Sequence, residues 1–170
     1  MAILNIVTFP DNFLKQATEP VDNIDGKLQA LIDNMAETMY HAPGVGLAAI
    51  QVGVGKSLLI YDMSPADKDR SLSVLINPRI IQAEGQQLSE NEGCLSVPDF
   101  RSDVKRAKSV LVEATDRDEK PVRIEAHDFL AIVLQHEIDH LNGTLFIDRI
   151  SSLKRQLYTR RVKKQLKQHE

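Results

Sequence analysis

Asp128-Phe129-Leu130-Ala131-Ile132-Val133-Leu134-Gln135-His136-Glu137-Ile138-Asp139-His140-Leu141-Asn142 is the stretch from which the rest of the chain is read. Its apolar residues recur around nearly the whole circumference of a helix, which marks a buried central helix rather than a surface one. Asp128 is a suitable N-cap, and Gly143 supplies the C-terminal stop. Within it His136 and His140 stand one turn apart on one face, Cβ atoms roughly 5–6 Å from each other, close enough for both rings to meet one metal ion. Glu137 flanks that face, where a carboxylate can reach a water activated by the metal. Two histidines and two acids in a buried helix need partners, and a metal supplies them. The pattern H-E-x-x-H therefore predicts metal-assisted hydrolysis.

Working outward, Asp25-Gly26 precedes Leu28, Leu31, Ile32, Met35 and Met39, spaced as an amphipathic helix that ends near His41-Ala42-Pro43. Short β-like runs follow at Ala48–Val52, Ser57–Asp62 and Leu72–Asn77, the last stopped by Pro78. Val104–Thr115 and Pro121–Ala126 read as a hairpin joined by Asp116–Lys120, and Leu153 onward is a final helix. There is no regular βαβ alternation. The expected class is α+β: mostly antiparallel sheets packed around the buried H-E-x-x-H helix, plus a C-terminal helix. The 170 residues suit one domain, and no repeat or linker divides them.

Composition narrows the setting. Hydrophobic residues at 42% and charged residues at 26% are ordinary for a soluble domain, and no stretch is long and apolar enough for a membrane span. The N-terminus has no cationic, apolar signal pattern and reads as mature structure. One cysteine, Cys94, rules out an internal disulfide and suits the cytoplasm. Residues 154–170 carry seven of the 21 Lys and Arg and one of the 24 Asp and Glu, +6 net, which leaves residues 1–153 at −9. An acidic body with a basic tail points to a docking element, although a solvated terminal helix has the same composition.

The third ligand has to come from elsewhere. The continuation His140-Leu141-Asn142-Gly143-Thr144-Leu145-Phe146 follows the metzincin spacing but ends on a residue that cannot ligate. Neither Asp148 nor Glu170 lies in the helical setting that supplies a thermolysin-type glutamate. Cys94, preceded by Gly93 and closed off by Pro98, is the outstanding candidate. A thiolate and two imidazoles leave one position open for water, the pattern of a catalytic site. Gly44-Val45-Gly46-Leu47-Ala48-Ala49 formally meets the dinucleotide fingerprint, yet a helix precedes it where that fingerprint needs a strand.

Gly44-Val45-Gly46-Leu47-Ala48-Ala49-Ile50-Gln51, Glu92-Gly93-Cys94-Leu95-Ser96 and the H-E-x-x-H helix, in that order, resemble the three signature motifs of the peptide deformylases of bacterial type. The likeness runs from Phe9-Pro10 to the basic terminal helix. It implies removal of the formyl group from the N-terminal methionine of nascent polypeptides, with release of formate. Cys94, His136 and His140 would hold the metal and a nucleophilic water, with Glu137 as general base and then acid. The Gln51 side-chain amide and the Leu95 backbone N–H would stabilise the formyl oxygen. Gly46 would pair with the extended peptide, Val45 and Ile132, with Phe129 and Val133, would line the methionine pocket, and Arg101 would contact residues beyond it. The family's usual ion is Fe2+, which Zn2+, Ni2+ or Co2+ can replace, although the ligand set suits zinc equally. The resemblance also implies a cytoplasmic monomer that docks near the ribosomal exit tunnel through 154–170. An endopeptidase with zinc and an RNA-binding module with a structural zinc are the competing readings.

Overall fold

The computed structural model describes residues 1–169; Glu170, counted above with the basic tail, lies outside the described residues. Among the described residues, three α-helices accompany seven strands: α1 Gly26–His41, β1 Gly46–Ala48, β2 Leu58–Tyr61, β3 Ser73–Glu84, β4 Gln87–Cys94, β5 Val97–Arg106, β6 Ser109–Thr115, β7 Pro121–His127, α2 Asp128–Leu141 and α3 Ser152–Gln168. One antiparallel sheet has the order β1-β2-β3-β6-β7, and β4 and β5 form a separate hairpin. The α+β class expected from the sequence is the one observed. No helix among the described residues is long and apolar enough to cross a membrane.

The five-stranded sheet lies between two helices, and its side chains divide by the two-residue period of a strand. Leu58, Ile60, Val74 and Ile76 pack with Ile32, Met35 and Met39 of α1. Their neighbours Leu59, Tyr61 and Leu75 pack instead with Ala131, Leu134, Ile138 and Leu141 of α2. This explains why all four residues of β2 are buried: a strand covered on both faces reads as a continuous apolar run. A third cluster joins the β4–β5 hairpin to Phe146, Ile147 and to Tyr158 and Val162 of α3.

Several local expectations change. Only Gly46–Ala48 is strand; Ala49–Val52 is a turn of 3-10 helix. Pro78 does not stop β3, because the register shifts between Ile76 and Arg79 and Asn77 takes a positive φ of 52°. A bulge is where a strand tolerates proline. Val104–Thr115 is two strands in different sheets, divided at Ala107-Lys108. Asp128 is the first residue of α2 and not its cap; its φ is 55° and its carboxylate pairs with Lys108. The first turn of α2 is at the surface, with Phe129 53% exposed, and apart from Ala131 the buried residues of the helix begin at Val133.

Two features hold the ends of this frame. Beyond β1, the Asp62 N–H donates to Val45 O (2.9 Å), and the Asp62 carboxylate accepts from Tyr40 Oη (2.6 Å), Ser64 N and Ser71 N (2.8 Å each). Burial disfavours that charge, but the hydrogen bonds outweigh it and hold the group down at about 2. At the other end, Gly143 has φ of 74° and follows α2 where residue 15 crosses; a Cβ there would stand 2.3 Å from Lys15 O.

Gly143→Ala combines a left-handed backbone with a backbone collision, so it should cost at least ~2 kcal/mol in urea unfolding; a loss below ~0.5 kcal/mol would contradict this account. For Asp62 the folded pKa lies below the unfolded one of about 3.9, so its contribution is complete at neutral pH and disappears as pH falls towards 2. The stability gap between wild type and Asp62→Asn should therefore stay constant above pH ~5 and narrow below it. A gap of the same size at all pH values would show that the carboxylate charge is not what matters.

Candidate metal centre

Three separate pieces of the chain converge at the floor of a cleft of about 850 Å³. The end of β4 carries Cys94, α2 carries His136, Glu137 and His140, and the 3-10 turn after β1 carries Gln51. Because Ala49–Val52 coils instead of continuing as strand, the Gln51 side chain turns inward and is 1% exposed. Cys94 ends its strand at the tight connection Leu95-Ser96, with Val97 opposite it and a register shift before it. The hairpin end thus delivers the sulfur to α2.

The donor atoms of Cys94, His136 and His140 all lie within 4.8 Å of one another. His140 Nε2 is 3.3 Å from Cys94 Sγ and 3.3 Å from His136 Nε2. These atoms are a thiolate-forming sulfur and two imidazole nitrogens, the donor set of zinc and other borderline divalent ions. The His136 Nδ1 lies 2.6 Å from Glu92 Oε1, which directs the Nε2 lone pair at the cluster. Burial above all holds His140 well below the ordinary histidine range, in the neutral form a ligand requires. The residues fit a metal.

A layer of charges behind the candidate ligands was not visible in the sequence. Arg106 pairs with Glu92 and donates to Asp139 Oδ2 (2.7 Å), and Arg149 grips Asp139 from the other side at 2.6 and 2.7 Å. Burial disfavours the Glu92 charge, but hydrogen bonds from His136 and Arg106 prevail and hold it at about 2. Asp139 therefore finds its partners in two arginines and not in the metal. Taking away one member of such a buried pair costs ~3–5 kcal/mol, because the other charge is left without a partner. The only hint in the sequence was the presence of charges in strands and helices that otherwise read as interior.

Glu137 is different: it is 5% exposed, and its Oε2 is buried with no hydrogen-bond partner. Burial pushes its carboxyl up to about 7, the range in which a group can both take and return a proton near neutrality. A Cβ at residue 46 would stand 2.8 Å from its Oε1 and 2.9 Å from its Cγ, so glycine lets β1 pass this close without displacing the Glu137 side chain. β1 is the terminal strand of its sheet, and its residue Gly46 sits at the cleft wall. Val45, Ile132, Val133, Phe129, Leu95 and Arg101 also line the cleft. Arg101 Nη1 donates to Asn91 O at 3.1 Å.

Comparisons with known proteins agree with this geometry. The family described as polypeptide deformylase matches residues 3–156. A peptide deformylase of Desulfosudis oleivorans is 56% identical, over 99% of this chain and 97% of that protein. The crystal structure of a peptide deformylase from Legionella pneumophila superimposes with a TM-score of 0.90 at 44% identity, covering 99% of this chain and 98% of that one. A class I type b peptide deformylase from Acinetobacter baumannii, solved with Met-Ala-Ser bound, gives 0.82 at 35% identity over 88% and 99%. This chain belongs to the polypeptide deformylase family and is a metal-dependent hydrolase.

Proposed function

We propose that residues 1–170 act as one catalytic unit that removes the N-formyl group from the N-terminal methionine of nascent polypeptides and releases formate. The observation that carries this reading is the convergence of Cys94, His136 and His140 beside a buried carboxylate, Glu137, whose second oxygen is unpartnered. Cys94, His136 and His140 are the metal ligands in this reading, and Fe2+ is the native ion, with Zn2+, Ni2+ or Co2+ able to replace it. When bound, the ion supplies Lewis acidity toward the formyl oxygen and acidifies a water molecule at the open position.

The chain's own residues do the rest. The peptide enters as an added strand along the open edge of β1, its backbone pairing with Gly46. The methionine side chain rests among Val45, Phe129, Ile132 and Val133, and Arg101 meets the residues that follow. Glu137 takes a proton from the attacking water and returns it to the departing amine, which a carboxyl held at about 7 can do in both directions. The Gln51 amide and the Leu95 N–H donate to the oxygen as it gains charge. The Met-Ala-Ser bound to the Acinetobacter relative supports a peptide that begins with methionine.

We place the protein, as a monomer, in the cytoplasm where nascent chains emerge, docked near the ribosomal exit through 154–170. On α3, Arg155 is spent on Asp148 and Arg161 on Asp99 O, whereas Lys154, Arg160, Lys163, Lys164 and Lys167 are exposed. Those five are the side chains available to phosphate groups of ribosomal RNA.

Glu137→Gln should keep one metal ion per chain by elemental analysis while kcat for formate release from formyl-Met-Ala-Ser falls ~10²–10⁴-fold. Retention of activity within about fivefold would remove Glu137 from the proton transfer. Truncating α3 would strip Tyr158 and Val162 from the third cluster, so reversing charge is the cleaner probe. Lys163, Lys164 and Lys167 changed together to Glu should weaken binding to ribosomes at least ~10-fold and flatten its salt dependence, with turnover of the tripeptide unchanged. Equal ribosome affinity in the triple variant would refute docking through α3.

A further inference from the structure

Gln51 is held at both ends of its side chain. The Ala48 N–H donates to Gln51 Oε1 at 2.9 Å, which determines which face of the amide carries oxygen and which carries nitrogen. The nitrogen has two protons to place. Ser96 Oγ accepts one at 3.1 Å, and Cys94 Sγ stands 3.6 Å from the same nitrogen. Sulfur is a weak acceptor, so the proton facing it can be given up to a better one at little cost.

Ser96 has no freedom to do otherwise. It is fully buried, its N–H points to Cys94 Sγ at 3.4 Å, and its carbonyl accepts from Phe9 N at 2.8 Å. With the backbone tied on both sides and the side chain enclosed, the hydroxyl has little room to leave its contact with Gln51. An amide with only Oε1 tied can swing about its last torsion, since rotations at such sp³–sp² bonds are soft. A donor aimed at a developing charge is useful only if it is already in place.

We infer that Ser96 is the positioning residue for Gln51: its hydroxyl occupies one amide proton and so presents the other toward the ligand cluster, where the formyl oxygen would gain charge. This rests on the role given to Gln51 under the proposed function. Ser96 itself touches neither peptide nor metal in this account.

The test is a double-mutant cycle on metal-loaded enzyme, with metal content and thermal midpoint checked for every variant. Gln51→Ala should lower kcat for formyl-Met-Ala-Ser by on the order of 10²-fold. Ser96→Ala should lower it about tenfold with KM within about twofold, and should add less than about twofold when Gln51 is already Ala. Independently of turnover, the side-chain NH2 resonances of Gln51 should exchange with solvent at least ~10-fold faster in Ser96→Ala. Ser96→Cys, with similar volume and a weaker acceptor, should fall between wild type and Ala on both measures, and it serves in place of Ala if that variant does not fold.

A Ser96→Ala penalty of equal size in both Gln51 backgrounds would overturn the proposal, showing a general structural effect. An unchanged kcat in Ser96→Ala, or unchanged amide exchange, would overturn it as well. If Gln51→Ala alone turns over normally, the oxyanion reading of Gln51 fails and this proposal falls with it. That outcome is told apart because in the others Gln51→Ala remains slow.

Discussion

The constraint on which the structure depends is the burial of a polar helix face. From His136 to His140, α2 places two imidazoles and two carboxylates in the interior, all 8% exposed or less. Each would be costly there unless compensated. The fold answers each one differently: a shared cluster with Cys94 for the imidazoles, two arginines for Asp139, and nothing for the outer oxygen of Glu137. Among the described residues two buried side-chain atoms lack a hydrogen-bond partner, His140 Nδ1 and Glu137 Oε2, and burial pushes the Glu137 carboxyl up to about 7. Part of the structural cost thus falls on the residue to which we assign proton transfer, as expected where a stable frame holds a reactive group.

The remaining architecture can be understood as a means of meeting that burial. The β4–β5 hairpin brings Glu92 to the back of His136 and Cys94 to its front, two residues apart on one strand. Arg106, on the returning strand, closes the circuit to Asp139, so hairpin and helix are locked together through charge rather than apolar contact alone. β1 can lie against Glu137 without displacing it because residue 46 has no side chain. Sheet, hairpin and helix each contribute one surface of the cleft, and none of them would form it alone.

Helices were the most readable part of the chain. The helix start after Asp25-Gly26, the Gly143 stop after α2 and the amphipathic stripe of α1 are local signals, and all three appear where the sequence puts them. The strands were less legible, for identifiable reasons. β4, Gln87-Leu88-Ser89-Glu90-Asn91-Glu92-Gly93-Cys94, buries only Ser89 and Glu92 fully, so it offers no apolar alternation to recognise. Ala48–Val52 is apolar enough for a strand, but from Ala49 onward it is a turn of 3-10 helix. Pro78 misleads because a bulge absorbs it.

By itself the sequence determined the candidate ligand pair and the acid between them, since a helix converts a spacing of four residues into one shared face without help from the rest of the chain. It also supplied Cys94 as the candidate third donor and the glycine at residue 46. Only the tertiary structure decided that the sulfur arrives 3.3 Å from His140, that Glu92, Arg106 and Arg149 complete the charge circuit, and that Ser96 meets Gln51. Those contacts join residues 10 to 46 positions apart. Their geometry comes from how sheet, hairpin and helix close on one another, which no local pattern encodes.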